Sequence, residues 1–456
     1  MKRWTKPSKF NRSDLLKRLG SGGAAALMLS ITACGSVPQN TAQNGSPDAA
    51  SSPAATTAGA TVDGQLKIGT LLPITGDLAQ YGTTMQDSVN LLAETVNACG
   101  GVLGKPVQII SEDDQTDPAA GAAGMTKLAE VDKVGGVVGA AGSAVSSAAV
   151  DIAVRNQVVQ ISPSSTSPTF TDRAKKGEFN GFWFRTAPPD TFQGDALAQL
   201  AQEQGAKRVA VLAINNDYGN GLVDAFVPAF KQLGGTVTNE SNPTKYAPDA
   251  TTFDSELRAA FNGNPDAVVL VAYPETGSII LKQAQEQGLL NGNTKVLMSD
   301  GMKTDKLAEL SGKTGDGKFV ASGTLGTAPS AGGPAIQQFD DVYRKKFNRA
   351  PNVYDPNSWD AAAVIALAAE AAKSTTGAAI KDQIRTVTSG DGEKVTDVCQ
   401  GLALLRDGKP INYEGASGTI DFNAEGDVVG SYDVWTIADD GKLGVTSKIE
   451  VGGSGS

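Results

Sequence analysis

Short apolar runs that alternate with amphipathic segments constrain the fold of this chain more than any other feature. From Gln65 onward, the runs QLKIGTLLP, KPVQIISED, VGGVVGA and VVQISP are rich in valine and isoleucine and are typical of strands. Amphipathic stretches such as TTMQDSVNLLAETVNA and AAGMTKLAEV lie between them and predict helices. Strands that alternate with helices favour βαβ units, so we predict an α/β fold with mostly parallel sheets.

The same alternation begins again after FWFRTAPPD. RVAVLAIN, DAVVLVAY and TKVLMSD predict strands, and GLVDAFVPAFKQLG and ETGSIILKQAQEQGLL predict helices. A Gly/Ser/Pro-rich stretch, GTLGTAPSAGGP, is interpreted as a loop, and IQQFDDVYRKKFN and WDAAAVIALAAEAAK predict two further helices. Loop breaks near residues 188 and 326 therefore predict two lobes, with the helices after residue 333 packing back on one of them.

The amino terminus has the pattern of an export signal. A basic segment precedes the modestly apolar stretch LGSGGAAALMLSITA, which ends at Cys34. Small residues just before a cysteine resemble a lipoprotein cleavage box, so residues 1–33 are predicted to be a signal peptide and Cys34 to be lipidated. A plain secretory signal is the alternative, and the apolar run is shorter than the roughly 20 residues of a membrane-spanning helix. NRSDLLK resembles a twin-arginine signal, but Ser13 stands at the second arginine position, which favours Sec export.

Two segments lack the residues of a core. Residues 34–64 are rich in Ala, Ser, Thr, Gly and Pro and are predicted to be a lipid-anchored flexible tether. Residues 451–456 are predicted to be a flexible tail. Signal, anchor and tether together predict an exported protein held at the cell membrane, on its periplasmic or extracytoplasmic face.

The composition argues against several classes of function. The chain has no histidine, which excludes histidine-dependent catalytic triads and histidine-bearing zinc sites. Residues 1–33 carry +6 of the net charge of −10, so the remainder carries −16, the wrong sign for nucleic acid. SGKT at 311–314 has Leu307 where a P-loop needs glycine, and no G-x-S-x-G motif occurs. We therefore expect no enzyme, no cofactor and no metal site.

The cysteines predict one disulfide. If Cys34 is lipidated, Cys99 and Cys399 remain, and the compartment beyond the membrane is oxidising. We predict that they form a disulfide, with two separate buried thiols as the alternative.

Six short polar loops follow predicted strands. They are LLPITGDLAQYG (71–82), GAAGSAVSS (139–147), ISPSSTSPTFTD (161–172), NNDYGNG (215–221), VAYPETG (271–277) and LMSDGM (297–302). Ligands bind open α/β sheets beyond the carboxyl ends of strands, where hydroxyls and helix N-termini can hold a carboxylate. Ordinary capping and turn chemistry is the alternative for any single loop.

From about Leu66 to Ile449 the sequence resembles the periplasmic leucine/isoleucine/valine-binding type of ABC-transporter substrate-binding protein. The resemblance is carried by IGTLLPITGDLAQYG, ISPSSTSPTFTD before FWFRTAPPDTFQG, NNDYGNGL and YEGASGTIDFNAEGDV. It implies the two-lobed Venus flytrap fold of type I periplasmic binding proteins. The first lobe would comprise 65–187 and 327–422, and the second 188–326 and 423–450.

The resemblance also implies roles for residues of the first lobe. These residues are Tyr81, Gly142, Ser143, Ser164, Ser165 and Thr166. Tyr81 would flank the ligand near the hinge, and the others would hold its α-carboxylate. Family members have a serine pair where this chain has Gly142 and Ser143, so the atom that contacts the ligand there stays open.

On the second lobe the resemblance implies two tyrosines and an acid. Tyr218 and Tyr273 would close over the ligand, and Asp300 would pair with its α-ammonium group. A helix-capping role is the alternative for Asp300, because the sequence SDG also suits a cap.

These implications predict a solute-binding protein. It would capture a free amino acid, neutral or branched-chain, and deliver it as a monomer to the permease subunits of an ABC transporter. The alternatives are an amide, urea or another small polar solute as the ligand, and a sensory ligand-binding module as the function. Urea has no cation to pair with Asp300.

Overall fold

The computed structural model of the chain describes residues 64–451. The predicted signal peptide, Cys34 and the tether up to residue 63 lie outside this range, as do residues 452–456. The predictions on those segments therefore stay predictions.

Five parallel strands form the first sheet. They are β1 (Lys67–Leu72), β2 (Gln108–Asp113), β3 (Gly136–Gly139), β4 (Val159–Ser162) and β5 (Trp183–Arg185). Their order across the sheet is β2-β1-β3-β4-β5. β3 and β4 are buried along their whole length because helices cover both faces of a parallel sheet. The four strands predicted in this part of the sequence are confirmed.

The second sheet has eight strands. They are β6 (Arg208–Ile214), β7 (Thr236–Val237), β8 (Thr244–Tyr246), β9 (Ala267–Val271), β10 (Lys295–Met298), β11 (Leu325–Pro329), β14 (Tyr432–Ile437) and β15 (Leu443–Ile449). The order is β15-β14-β11-β10-β9-β6-β7, and β8 also pairs with β6. β14 runs antiparallel to both β11 and β15, and the other pairs are parallel. A small third sheet pairs β12 (Glu393–Val395) with β13 (Ile411–Tyr413).

Thirteen α-helices lie in the described range. They are α1 (Ala79–Ala98), α2 (Pro118–Thr126), α3 (Ser143–Arg155), α4 (Thr169–Lys175), α5 (Asp190–Glu203), α6 (Asp217–Gln232), α7 (Asp254–Ala260), α8 (Pro274–Glu286), α9 (Leu307–Ser311), α10 (Ile336–Phe347), α11 (Asp355–Ala372), α12 (Gly377–Thr388) and α13 (Val398–Arg406). α11 is buried from Asp355 to Glu370 and packs against α1, α12 and α13. From residue 361 to residue 369 the helix is apolar on all sides, which suits such a central position.

The architecture is that of a type I periplasmic binding protein, as the fold prediction stated. We call the part built on the first sheet the first lobe and the part built on the second sheet the second lobe. The exact lobe boundaries stay a prediction. The boundary placed between residues 326 and 327 falls inside β11, which pairs with β10 in the second sheet.

The interpretation of GTLGTAPSAGGP as a loop is wrong in its first half. Leu325–Pro329 forms a buried strand between β10 and β14. Its glycine is needed because the Trp435 ring packs against it: a Cβ on Gly326 would lie 2.5 Å from that ring. The glycine that suggested a loop is therefore a packing requirement.

The predicted disulfide between Cys99 and Cys399 is present. Cys99 follows the last residue of α1, Cys399 lies in α13, and their Cα atoms are 5.8 Å apart. Because 300 residues separate the two cysteines, the bond closes a very long loop of the unfolded chain.

We expect reduction of this disulfide to lower the free energy of unfolding by about 3–5 kcal/mol, because the cross-link restricts the unfolded chain. Ligand affinity should change little, since neither cysteine lines the cavity described below. Chemical denaturation with and without reductant measures the first effect, and a titration of the reduced protein measures the second. Equal stability of the oxidised and reduced forms would contradict the expectation.

Within residues 64–451, no helix combines the length and the apolar composition that a membrane crossing requires. In the same range, no group of three or more Cys, Asp and Glu side chains is arranged to hold a metal ion.

Candidate ligand-binding site

A cavity lies between the two lobes. Seven of the nine predicted ligand-binding residues line it: Tyr81, Gly142, Ser143, Ser164, Tyr218, Tyr273 and Asp300. Leu78, Met85, Ala141, Gly301 and Tyr354 complete the wall. Its volume, measured as the space open to the centre of a water-sized sphere, is about 20 Å³. The cavity therefore has room for about one water molecule. The lobes are therefore closed on each other.

The first-lobe wall is built at the start of α3. Gly142 precedes the helix in an extended conformation, and no side chain caps the helix N-terminus. The first N–H groups of a helix lack intrahelical partners and carry a partial positive charge. Ser164 stands beside them and donates its hydroxyl to the carbonyl of Ala141 at 3.0 Å. This wall offers donors that suit a carboxylate.

Ser165 and Thr166 do not line the cavity. The Ser165 hydroxyl lies 2.8 Å from the Ser146 hydroxyl and donates to the Ala140 carbonyl, so it holds the polar loop in place. The Thr166 hydroxyl is fully buried and has no hydrogen-bond partner within residues 64–451. Direct contact of these two side chains with a ligand stays a prediction.

A buried arginine supports the serine segment from behind. Arg185 donates from Nη1 to the carbonyls of Ser165 (3.1 Å) and Ser167 (2.9 Å). Its Nε donates to Asp427 Oδ1 at 2.7 Å, and Thr171 donates to the other oxygen of the same carboxylate at 2.7 Å. Both ionic side chains are at most 4% exposed. Asp427 lies in the segment that leads to β14, so this pair ties the first-lobe donors to a connection between the lobes.

On the second lobe, Asp300 is held by phenols. The Tyr218 hydroxyl donates to Asp300 Oδ1 at 2.6 Å, and the Tyr354 hydroxyl donates to Oδ2. The rings of Tyr218 and Tyr273 stack with centroids 5.5 Å apart. Neither Asp300 oxygen binds a backbone N–H of the turn that follows, so the capping alternative for this residue is not supported.

Burial raises the pKa of the Asp300 carboxyl, and the two phenol hydrogen bonds partly oppose this. No lysine or arginine of the described chain pairs with it. A carboxylate has about four lone-pair sites, so Asp300 can still accept from a ligand.

The sequence reasoning missed a second buried carboxylate, Asp190. It begins α5, is fully buried, and neither side-chain oxygen has a hydrogen-bond partner within the described range. Burial and the nearby charge of Asp300 raise the pKa of Asp190 well above its usual range. Asp190 lies in the motif FWFRTAPPDTFQG. The sequence does not show that it lies near Asp300, and this proximity is what makes it a candidate site residue.

Contacts across the cleft stabilise the closed arrangement. Tyr81 of the first lobe donates its hydroxyl to the Gly301 carbonyl of the second at 3.2 Å. Ser147 donates to Asp217, which lies in the first turn of α6. Tyr354 precedes α11, which packs on α1 of the first lobe. This packing places the Tyr354 hydroxyl against Asp300 of the second lobe. The sequence alone did not predict this contact, because 54 residues separate Tyr354 from Asp300.

A buried acid also supports the loop beside the cavity. Asp114 accepts the Thr116 N–H at 2.8 Å, and the Thr116 hydroxyl accepts the N–H of the cavity residue Leu78 at 3.0 Å. Burial raises the pKa of Asp114 to about 7. The folded protein therefore binds this proton more tightly than the unfolded chain does.

We expect the stabilisation from protonated Asp114 to be fully present below pH 4 and to be lost as the pH rises through about 7. Asp114→Asn should remove this contribution to the pH dependence. Melting temperatures of both proteins at intervals between pH 4.5 and 8 provide the test, with exposed Asp224→Asn as the matched control. Parallel curves for the parent and Asp114→Asn would contradict the expectation.

Comparison with known proteins agrees with this architecture. A family described as "Periplasmic binding protein" matches residues 65–413. The chain is 26% identical over 393 residues to the chemotactic signal transduction system substrate-binding protein BasB of Halobacterium salinarum, covering 82% of this chain and 87% of the relative. It is 26% identical over 380 residues to Leu/Ile/Val-binding protein homolog 3 of Brucella melitensis, covering 83% and 92%.

A solved structure gives the same fold. The branched-chain amino acid transporter substrate-binding protein LivJ of Streptococcus pneumoniae, in complex with isoleucine, superimposes with a TM-score of 0.69 at 25% identity. The match covers 85% of this chain and 99% of that one.

Proposed function

Because the chain belongs to the periplasmic binding protein family, we propose that it captures a free amino acid between its lobes and delivers it to an ABC transporter. The ligand's carboxylate would bind at the start of α3, beside Ser143 and Ser164. Its ammonium group would bind Asp300, with Asp190 close by.

The observation that carries this proposal is the pair of buried carboxylates without a cation. Asp190 and Asp300 are at most 3% exposed, and neither pairs with a basic side chain in the described range. Burying an unpaired negative charge is costly, and a ligand ammonium group would remove that cost. The opposite wall offers the N–H groups at the start of α3 and carries no acidic side chain, so the two ends of a zwitterion are complementary to the two walls.

Closure of the lobes would complete both contacts. The donors belong to the first lobe and Asp300 belongs to the second, so a zwitterion gains its second partner only when the cleft closes. The cavity is too small for an amino acid in the present closed arrangement, so entry would require opening and a shift of the tyrosine hydroxyls.

Other ligands and roles are less consistent with this site. Urea and short amides carry no cation and would leave Asp300 and Asp190 unpaired. Branched-chain amino acids are the first ligands to test, because the Streptococcus structure holds isoleucine. A sensory role, which the name of the Halobacterium relative favours, would change the partner on the membrane and not the ligand.

The first test is a thermal-shift panel on the purified protein after unfolding and refolding to remove bound ligand. The panel contains the twenty amino acids, urea and acetamide. A ligand present at 100 times its Kd adds about 2.7 kcal/mol of stability, which such a panel detects. Stabilisation by at least one amino acid, and not by urea or acetamide, is expected. Stabilisation by urea or acetamide alone would contradict the proposal.

The proposal includes a lipid anchor at Cys34, which the signal-like amino terminus supports. We expect mass spectrometry of membrane-extracted protein to find an amino-terminal Cys34 that carries several acyl chains, since one chain gives only marginal membrane binding. Cys34→Ala should release the protein from the membrane fraction. An unmodified amino terminus at another residue would contradict the anchor but not the ligand.

A further inference from the structure

A second cavity adjoins the first. It lies between the lobes and shares Gly142 and Tyr273 with the first cavity. Its volume, measured in the same way, is about 390 Å³. The first-lobe side contributes Asp77 and Gln115, and the second-lobe side contributes Asn215 and Asp249. The cavity that would hold the main-chain groups of an amino acid is nearly filled, whereas the adjoining one has room for a side chain.

Gly142 stands at the junction of the two cavities. A Cβ at this position would lie 3.5 Å from Leu78, which lines the first cavity, and 3.8 Å from Val145, which lines the second. It would also lie 3.6 Å from the Tyr273 hydroxyl. The backbone at Gly142 has φ −79° and ψ 137°, which any residue can adopt. The glycine is therefore not required by its conformation, and its effect is to leave the junction open.

The second cavity is acidic. Asp77 and Asp249 line it, and no lysine or arginine does. Within residues 64–451, the Asp77 carboxylate makes no ion pair. Burial and the neighbouring charge of Glu275 raise the pKa of Asp77, so a cation placed here would relieve an existing repulsion. The remaining polar groups are amides and hydroxyls, which can bind a donor-rich ligand group.

We propose that the ligand's side chain passes between Gly142 and Tyr273 into this second cavity, and that the substrate is an amino acid with a long, positively charged side chain. This inference rests on the proposed function, because it takes the main-chain groups to lie in the first cavity. It names a substrate class that differs from the isoleucine bound by the Streptococcus protein.

Calorimetric titrations with L-arginine, L-citrulline and L-leucine test the inference. Citrulline has nearly the shape of arginine but no charge, so the ratio of the two affinities isolates the charge. We expect arginine to bind about ten-fold more tightly than citrulline, as one favourable charge contact would give, and more tightly than leucine. Leucine binding that equals or exceeds arginine binding would overturn the inference and leave the proposed function intact. Absence of binding by every amino acid would overturn both.

Three variants and one exposed control test whether the preference for arginine arises in the second cavity. Asp77→Asn should reduce the arginine-to-citrulline ratio to within about three-fold of unity, whereas the exposed control Asp224→Asn should leave the ratio unchanged. Asp249→Asn is the second variant in case Asp77→Asn folds poorly, and it should reduce the ratio in the same direction. Gly142→Val should lower the ratio of arginine affinity to alanine affinity, because alanine does not reach the junction. Unchanged ratios in Asp77→Asn and Gly142→Val would overturn the inference.

Discussion

Replacement of Asp300 by asparagine is expected to weaken amino acid binding by about two to four orders of magnitude, which corresponds to about 3–5 kcal/mol. Asparagine keeps the size of the side chain but removes the charge that would pair with the ligand's ammonium group. One of the Tyr218 and Tyr354 hydroxyls can still donate to the amide oxygen, and the other can accept from the amide N–H group, so the fold around the site should survive. Titration calorimetry measures the affinity, and thermal melting confirms that the variant is folded.

Asp190→Asn is the matched comparison for this variant. Asp190 is buried near Asp300, and neither of its side-chain oxygens has a hydrogen-bond partner in the described residues, so an amide there breaks no hydrogen bond. If Asp300→Asn binds within a few-fold of the parent while Asp190→Asn does not bind, Asp190 is the counter-ion and the assignment of Asp300 is wrong. If both variants keep parental affinity, the ligand carries no ammonium group at this position.

Removal of the Arg185 guanidinium is expected to have the largest effect on stability. Arg185→Met would leave Asp427 buried and uncompensated, and the carbonyls of Ser165 and Ser167 would lose a donor. Breaking a buried ion pair in this way costs about 3–5 kcal/mol. Denaturant unfolding of the parent and the variant measures this loss directly.

Two further variants separate the ion pair from the local packing. Arg185→Lys keeps the charge but cannot make the planar set of hydrogen bonds, so only partial recovery is expected. The double variant Arg185→Met/Asp427→Leu removes both charges and should be more stable than Arg185→Met alone, since no charge is left unpaired. A double variant that is less stable than Arg185→Met would show that the charge on Asp427 is not the source of the loss.

Strands β1 to β4, β6, β9 and β10 were predictable because their runs of valine, isoleucine and leucine carry a clear pattern. β11 was not, since the packing of Trp435 requires glycine at position 326, and glycine in a Gly/Ser/Pro-rich stretch suggests a loop. Local periodicity cannot distinguish a glycine that turns the chain from one that admits a neighbouring ring.

The residues of the candidate site were likewise predictable only in part. Loops at strand ends indicated the segments that contain Ser143, Ser164 and Asp300, because the carboxyl ends of strands converge in this kind of fold. The family resemblance then implied the roles of these three residues. Tyr354 lines the cavity, and Asp190 lies near Asp300, only through tertiary packing. Tyr354 precedes a helix that packs on the first lobe, and Asp190 begins a helix of the second. No local pattern in the sequence marks a residue whose role depends on such proximity.

The most direct test of the proposed binding mode is whether binding requires both charged ends of the ligand at once. Titration calorimetry would compare the amino acid that stabilises the protein most with its amide, which lacks the carboxylate, and with its deaminated analogue, which lacks the ammonium group. We predict that the free amino acid binds with a stoichiometry of one and that both analogues bind at least about 100-fold more weakly. An analogue that binds within a few-fold of the amino acid would contradict the claim that the two lobes grip a zwitterion.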